Sequence, residues 1–479
     1  MSPAAITDLA QQCAQSPWVQ AQPGLELAAC RLERELGGRE PLASRAERIA
    51  SPGLGPAPRT LHQVAALQVA QLRSVLRRLP EAGRRATPPM EVLKDGVADL
   101  MRHHLALLGP PGAEVARIFV GSGSMAPDRV VQRLREEPIP WDPQPAHLVE
   151  RVTDRALPGL IRSIEPEPLG ATPVLQAHRC HLADGTPAIV RVRRPGARRA
   201  LLADARFSGT LAWAVEQVAP GVRDAHPQGF VQLAVRQLLD SLDLRNHALN
   251  AIELGLAVEA LDIAGVRIAR PIPAGITASA ALFEHVDGDP LHADHTPTAS
   301  AEPEVGLAAL LVLSAVGRGV FHADAGPEHL LRSSDGTITL VGCPVLGRLT
   351  PELRRAGYAY LTAVLSGDHA AQVEAMRQAG AVPDGIDEGA LIADLVAGGS
   401  IDPMALMDSS GQGALLEGLR DAVGILLRHR LRPPLEVVLL VRGLFALQQV
   451  LPLAAPGASL TGALLPLLPR LPELAADDR

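Results

Sequence analysis

Aromatic residues make up only 2% of the 479-residue chain, and lysine is nearly missing: Lys94 is the single one among 45 basic residues. Any mechanism that needs a lysine therefore has one candidate. There is no excess of base either; the net charge is -7 and the sequence pI about 6.1. A nucleic-acid partner would call for a basic surplus, which is absent outside local runs such as Arg191-Val192-Arg193-Arg194. The four cysteines (Cys13, Cys30, Cys180 and Cys343) are far apart and show no C-x-x-C spacing. That excludes a zinc ribbon and a disulfide framework and fits a reducing cytoplasm. The first residues lack a basic segment followed by an apolar one, so no signal peptide is expected. The longest charge-free stretch, Gly443 to Pro469, carries Gln448, Gln449, Pro452, Pro456, Pro466 and Pro469. It makes a poor bilayer-spanning helix, and a core or amphipathic role is expected instead.

What is present is an ordinary globular balance, 47% hydrophobic and 20% charged, with the apolar content in Ala, Leu and Val. The length suits two or three domains. Residues 1 to about 50 place Leu25, Leu27, Ala28, Leu32 and Leu36 at helical spacing. A Pro/Gly linker follows at Ser51–Pro58, then an amphipathic helix from Leu61 to Leu79 with Arg73, Arg77 and Arg78 outside. A further helix from about Met90 stops at Gly109-Pro110-Pro111-Gly112, and helical segments cover Ala113–Val120 and Asp128–Glu136. The character changes after about residue 145. Thr172–Cys180 and Pro187–Val192 read as strands joined at Asp184-Gly185, a turn dipeptide. Asp204–Val218 and Pro227–Gly255 read as helices, Val266–Ala269 and Ala280–Glu284 as strands, and the chain beyond Thr350 as helices. Trp18, Trp141 and Trp213 are expected to pack.

One stretch concentrates chemistry: His322-Ala323-Asp324-Ala325-Gly326-Pro327-Glu328-His329-Leu330-Leu331. It lies between an apolar helical run, Leu307–Val320, and the strand-like Thr337–Val341. It resembles the H-A-D-x-x-P-x-N-L-L catalytic loop of the UbiB/AarF atypical kinases. Pro168-Leu169-Gly170-Ala171-Thr172 resembles that family's Ala-rich nucleotide loop, and Ala188-Ile189-Val190-Arg191-Val192-Arg193-Arg194-Pro195-Gly196 its A-V-K-V-x-R-P-G strand. Glu284-His285-Val286-Asp287-Gly288 is similar to its hinge, and Leu108-Gly109-Pro110 to the start of its N-terminal signature L-G-P-x-x-x-K-x-G-Q. The likeness spans roughly Gly109 to Pro351.

The resemblance implies an α+β, protein-kinase-like two-lobed fold. A helical N-terminal extension would cover residues 1–145, an N-lobe 146–290 and a helix-rich C-lobe 291–479. It implies ATP and Mg²⁺ as cofactors, nucleotide contacts at Gly170, Ala171, Arg191, Glu284 and Val286, and links to isoprenoid quinone or lipid metabolism. On that footing the partner is an unidentified protein or a lipid or isoprenoid, without nucleic acid. The location is the cytoplasm, with peripheral membrane association as the variant.

The departures point the other way. Arg191 stands where kinases keep the phosphate-binding Lys, and Ser241 and His247 replace the two helix Glu residues. Glu114, Ala116 and Arg117 stand at the K, G and Q of the N-terminal signature. His329 replaces the Asn that ligates the second magnesium, and Gly342-Cys343-Pro344 replaces D-F-G. Asp324 is the one acidic group of the catalytic loop retained, with Arg191 at the Lys position. The expectation is a pseudokinase with a binding or regulatory role. The alternative is an active nucleotide-dependent ATPase or kinase whose metal ligands have been rearranged around Asp324 and His329. Arg191 itself is left between two readings: holding a phosphate or carboxylate ligand, or pairing with Asp243 or Glu114. Arg193, Arg194, Arg198 and Arg199 are expected to form a solvated face.

Overall fold

The computed structural model describes residues 3–37, 42–51, 89–122, 128–139, 143–218, 227–291, 302–399, 424–426, 428–455, 458 and 460–476. Residues 52–58, the amphipathic stretch 61–79 and Trp141 lie outside them.

Helices open the chain: α1 (Pro3–Gln15), α2 (Pro17–Gln20), α3 (Leu25–Gly37), α4 (Leu42–Ala50), α5 (Pro89–Leu107), α6 (Gly109–Ser122), α7 (Asp128–Glu136) and α8 (Ala146–Ala156). The Gly109-Pro110-Pro111-Gly112 segment ends one helix and also starts the next. Proline suits a first helical turn, whose N–H groups have no partner in the helix.

The sheet of the first lobe comprises β1 (Ile161–Ile164), β2 (Gly170–Ala171), β3 (Leu175–Leu182), β4 (Pro187–Arg193), β6 (Pro271–Ile276) and β7 (Ala280–Glu284). Its order is β1-β3-β4-β7-β6, with β2 beside β3, and every pairing is antiparallel. Along β4, Ala188, Val190 and Val192 are buried while Ile189, Arg191 and Arg193 alternate to the other face. Period-two alternation thus points Arg191 toward the other lobe. It is opposite Ala177 on β3 and Ala281 on β7.

Three helices connect the strands: α9 (Ala197–Val218), α10 (Pro227–Ser241) and α11 (Leu244–Ala260). The sequence reads 227–255 as one helical region, but the chain breaks at Leu242-Asp243. There the Asp243 carboxylate accepts from Arg245 N (3.2 Å) and caps a new helix. α11 is buried on nearly every side. The first helices cover one face of it with Cys13, Val19, Leu25, Ala29 and Leu32. Trp18 packs so closely that a Cβ at Gly255 would sit 2.5 Å from its ring. An ion pair and a hydrogen bond fasten the same contact: Arg245 pairs with Glu35 (2.9 Å), and Trp18 N donates to the Glu259 carboxylate (2.9 Å).

The second lobe carries two small sheets, β5 (Val266–Ile268)-β11 (Ile338–Leu340)-β10 (Leu330–Arg332)-β8 (Asp289–Pro290) and β12 (Leu346–Arg348)-β9 (Val320–His322). Around them lie α12 (Glu302–Leu313), α13 (Pro351–Ser366), α14 (His369–Gln378), α15 (Glu388–Asp394), α16 (Leu435–Ala454), α17 (Leu460–Leu464) and α18 (Leu471–Ala476). A π-turn, Ser314–Arg318, follows α12 and ends at Gly319 in the left-handed conformation, which turns the chain into β9.

Two expectations need correcting. Trp213 does not pack inside; it is 43% exposed. Arg193 and Arg194 are not a solvated face. Arg193 donates to Leu242 O (3.1 Å), and Arg194 is buried with a bond to Thr172 O (2.9 Å), so both tie loops to the sheet. Arg198 and Arg199 are exposed.

Candidate functional site

The cleft between the lobes is built on β9, which delivers His322 and Asp324, and on β11, which leads into Gly342. His322 is buried and held at both nitrogens: Nδ1 accepts from Asp324 N (3.1 Å) and Nε2 donates to Gly342 O (2.7 Å). That pair of partners fixes the neutral tautomer. Burial first, and the neighbouring His329 second, push its pKa down to about 3. His322 therefore braces the loop and joins its two ends. Glu328 is exposed.

Asp324 is 6% exposed, and arginines meet both of its oxygens. Arg442 Nη2 donates to Oδ1 (2.7 Å), and Arg117 Nη1 pairs with Oδ2. Arg442 comes from the middle of α16, is 1% exposed, and also donates to Gln237 on α10 (2.7 Å). Burial, then repulsion from Arg117, draws its pKa down to about 9, so it stays charged at neutral pH. Arg117 comes from α6 and bonds as well to the buried carboxylate of Glu114, one turn back. One carboxylate thus joins three helices that lie far apart in the chain.

The other side of the cleft floor is different. Arg191 crosses from β4 and donates to Val341 O; its guanidinium lies 5.0 Å from the centre of the Phe283 ring. It pairs with neither Asp243, which is taken by Arg245 (2.7 Å), nor Glu114, which is taken by Arg117. Gly342 leaves room for it. A Cβ there would sit 2.7 Å from His329 Nδ1 and 3.0 Å from Arg191 Nη2. The large residue at 191 and the missing side chain at 342 therefore go together. His247, in the first turn of α11, is 1% exposed; its ring makes no well-formed hydrogen bond, although the Ser241 backbone lies near enough to favour its protonated form slightly. Burial, then Arg191 and His329, push its pKa down to about 3. One turn on, Asn250 donates to Cys343 O (3.0 Å) and accepts from Arg348 (2.9 Å), which holds the segment after Gly342 in place.

The remaining sequence candidates are scattered. Gly170 and Ala171 form β2 at the edge of the sheet. Glu284 ends β7, opposite Ala188 rather than Arg191, and is engaged by Arg267 (2.9 Å) and Arg270 N (3.0 Å). Val286 is buried. Asp324 and His329 share a loop, yet among the described residues no group of three or more His, Cys, Asp or Glu is placed to hold a metal. Sequence reasoning missed Arg442 and Gln237 entirely. The available signal was a lone arginine in the middle of a 20-residue helix that is otherwise apolar from Val437 to Leu447. That helix is also the one described segment long and apolar enough to cross a membrane, and half of it is buried in the protein.

A twisted antiparallel sheet stacked on a helical lobe, with an H-x-D loop at their junction, defines a protein-kinase-like fold. Residues 137–376 match the model of the ABC1 atypical kinase-like domain, and the chain belongs to that family, which includes the UbiB and AarF proteins. It is 30% identical over 159 residues to the "Probable protein kinase UbiB" of Pseudomonas fluorescens (strain Pf0-1), covering 32% of this chain and 30% of that one. It is 25% identical over 271 residues to the UbiB protein of Pseudomonas putida (strain GB-1), covering 52% and 49%. An aarF domain-containing protein kinase of Arabidopsis thaliana, chloroplastic, is 22% identical over 264 residues, covering 54% and 49%. The chain thus spans about half or less of the length of these curated relatives. Among solved structures, the complex of Rv3197 with erythromycin from Mycobacterium tuberculosis has a similar fold. Its TM-score is 0.50 and its identity 18%, covering 80% of this chain and 98% of that one.

Proposed function

We propose that this chain is a pseudokinase of the ABC1 family that works by binding rather than by phosphoryl transfer. The observation that carries the reading is the state of Asp324: both oxygens face arginines, and one of these, Arg442, is fully buried. Phosphoryl transfer relies on positioned metal ions that neutralise phosphate charge. Magnesium needs hard oxygen ligands and is usually held by carboxylates together with the phosphates. Here the carboxylate is committed to Arg117 and Arg442, position 342 offers none, and the space beside it is taken by Arg191 and His329. The donor set does not fit a magnesium–nucleotide complex, and we derive no step through one.

The binding role would be regulatory or structural. The UbiB relatives suggest, by name, a connection to ubiquinone and so an isoprenoid or lipid partner, with peripheral membrane association. The competing reading is an ATPase or kinase with ligands rearranged around Asp324 and His329. Thermal melts of the full chain separate the two. The pseudokinase reading expects no stabilisation by ATP that requires Mg²⁺. A Mg²⁺-dependent rise that disappears in Asp324→Asn, with steady ATP turnover, would sink it.

A further inference from the structure

One face of α9 stands apart from the rest of this acidic molecule. Arg199, Ala203, Arg206, Thr210, Trp213 and Gln217 recur at intervals of three and four, which puts them on one side of the helix. The opposite side, with Leu201, Ala205, Ser208 and Ala212, is buried. On the outer side all but the half-buried Thr210 are exposed, and the exposed Arg198 adjoins them. That side carries no carboxylate. Of the two acids in the helix, Glu216 is buried and Asp204 lies against Gly109. Arginines of similar exposure elsewhere find an acid: Arg129 meets Asp95, Arg377 meets Glu374 and Arg428 meets Asp394. Arg198, Arg199 and Arg206 enter no ion pair among the described residues, and their side chains no hydrogen bond. Trp213 completes the face, 43% exposed in a chain with only three tryptophans. A half-exposed tryptophan beside arginines is the usual anchor of a contact between proteins.

We infer that the outer face of α9 docks an acidic α-helix of another protein, with Trp213 as the anchor and Arg199 and Arg206 as the charged contacts. The spacing favours a helix. The large side chains at 199, 206 and 213 stand two turns apart, and the small Ala203 and Thr210 leave gaps between them that the ridges of a second helix can enter. From Arg199 to Trp213 the face runs about 21 Å, four turns of such a partner. A bilayer would be met by a broad apolar stripe, whereas here a single aromatic stands among arginines. Single-stranded nucleic acid would call for several stacking rings along a basic groove. The net charge of -7 makes the rest of the surface a poor rival for the same acidic partner, so the arginines set its place as well as its sign. The inner side of α9 packs on α6 and α10, which carry Arg117 and Gln237 of the Asp324 cluster. A partner on the outer side therefore bears on the helices that hold the cleft. The inference rests on the binding reading given above and names the kind of partner that reading calls for.

The test uses the full chain and a synthetic helical peptide of about 24 residues, long enough to span the face, with a Leu/Ala seam flanked by glutamates. Its twin with lysine for every glutamate is the control, and phosphatidylcholine vesicles containing phosphatidylglycerol are the membrane arm. Calorimetry at low salt is expected to give a Kd on the order of 10–100 µM for the glutamate peptide, weakening several-fold in about 0.5 M NaCl, and no binding of the lysine twin. Trp213→Ala should weaken the glutamate peptide about tenfold. Arg199→Glu together with Arg206→Glu should abolish its binding and create binding of the lysine twin. These positions are exposed, so the variants should keep the native melting temperature; Arg206→Gln, expected to weaken binding several-fold, carries the test if the charge reversal does not fold. No binding of the glutamate peptide, or binding that survives the charge reversal, overturns the inference. Binding to the vesicles alone, lost in the same variants, overturns it too, because the face would then serve a membrane. Each of these outcomes leaves the pseudokinase reading to the ATP melts, which do not involve the outer face of α9.

Discussion

The two sides of the cleft floor handle charge in opposite ways. Around Asp324, one carboxylate is matched by two arginines from helices remote in sequence, and Gln237 and Glu114 each accept a further N–H from them. Around Gly342, an arginine has no acid, two histidines are held neutral, and a side chain has been removed to make room. The first side is an internal cross-link; the second is a half-made contact. In a kinase the D-F-G acid and the catalytic-loop Asn hold the metal, and the catalytic-loop Asp serves the attacking hydroxyl. Here the acid that survives has been drawn into the packing, and the acid that is gone has left a cation behind.

That contrast can be broken from either side. Removing the matched carboxylate should do the most damage. Asp324→Ala strands Arg442 in the core and is expected to cost about 3–5 kcal/mol in urea unfolding. Replacing the buried pair together by Asp324→Leu and Arg442→Met should recover much of that loss, with a coupling of more than about 1 kcal/mol in the double-mutant cycle. If Asp324→Ala leaves stability unchanged, the cross-link is not there. Gly342→Ala tests the crowding on the other side. It should cost about 1–3 kcal/mol alone and distinctly less in a His329→Ala background, because the added methyl runs into His329 and Arg191.

Smaller effects sharpen the picture. Asp240, beside the cap of α11, has its pKa raised from 3.8 to about 6, chiefly by burial, with Arg348 and Arg236 opposing. Folding therefore favours its protonated form, and the cost of ionising it builds between about pH 4 and pH 6 and is fully present above that. Asp240→Asn keeps the oxygen that Asn246 donates to (2.6 Å). The variant should be more stable by about 1 kcal/mol at neutral pH, and its advantage should vanish as the pH falls toward about 4. Chemical denaturation at several pH values reads this directly; an advantage that grows toward acid would contradict it. Least of all, Arg191→Met should change stability by under about 1 kcal/mol. It exchanges a bond and a ring contact for relief from an unpaired charge. A loss as large as that of Asp324→Ala would mean that both sides of the floor are cross-links after all.

Much of the fold was legible in the sequence, because the family motifs fall in order along about 240 residues and each sits on a local pattern. The alternation on β4, the turn at Asp184-Gly185 and the His322-Ala323-Asp324 loop need only near neighbours to be recognised. What the cleft does with those residues was not legible. Arg442 is 118 residues from Asp324, and Gln237 is 205 residues from Arg442. Nothing in an apolar helix announces which buried group its single central arginine will meet. The same holds for Arg191. Its residue type promised an ion pair or a ligand, and only the register of β4 against β7, together with the bare Cα of Gly342, shows that it reaches neither Asp243 nor Glu114. The break between α10 and α11 was missed because both flanks are good helix formers and the decision falls to one capping carboxylate, Asp243.

The two arginines that hold Asp324 both lie outside residues 137–376, the part of the chain that matches the family model. A fragment cut to those limits would keep the aspartate and lose both of its counter-charges. The segment that defines the family is therefore not a self-sufficient module in this protein. Its most recognisable residue has become the knot that ties the chain before it to the chain after it. Shorter versions intended to retain the native cleft must carry α6 and α16 along with the domain.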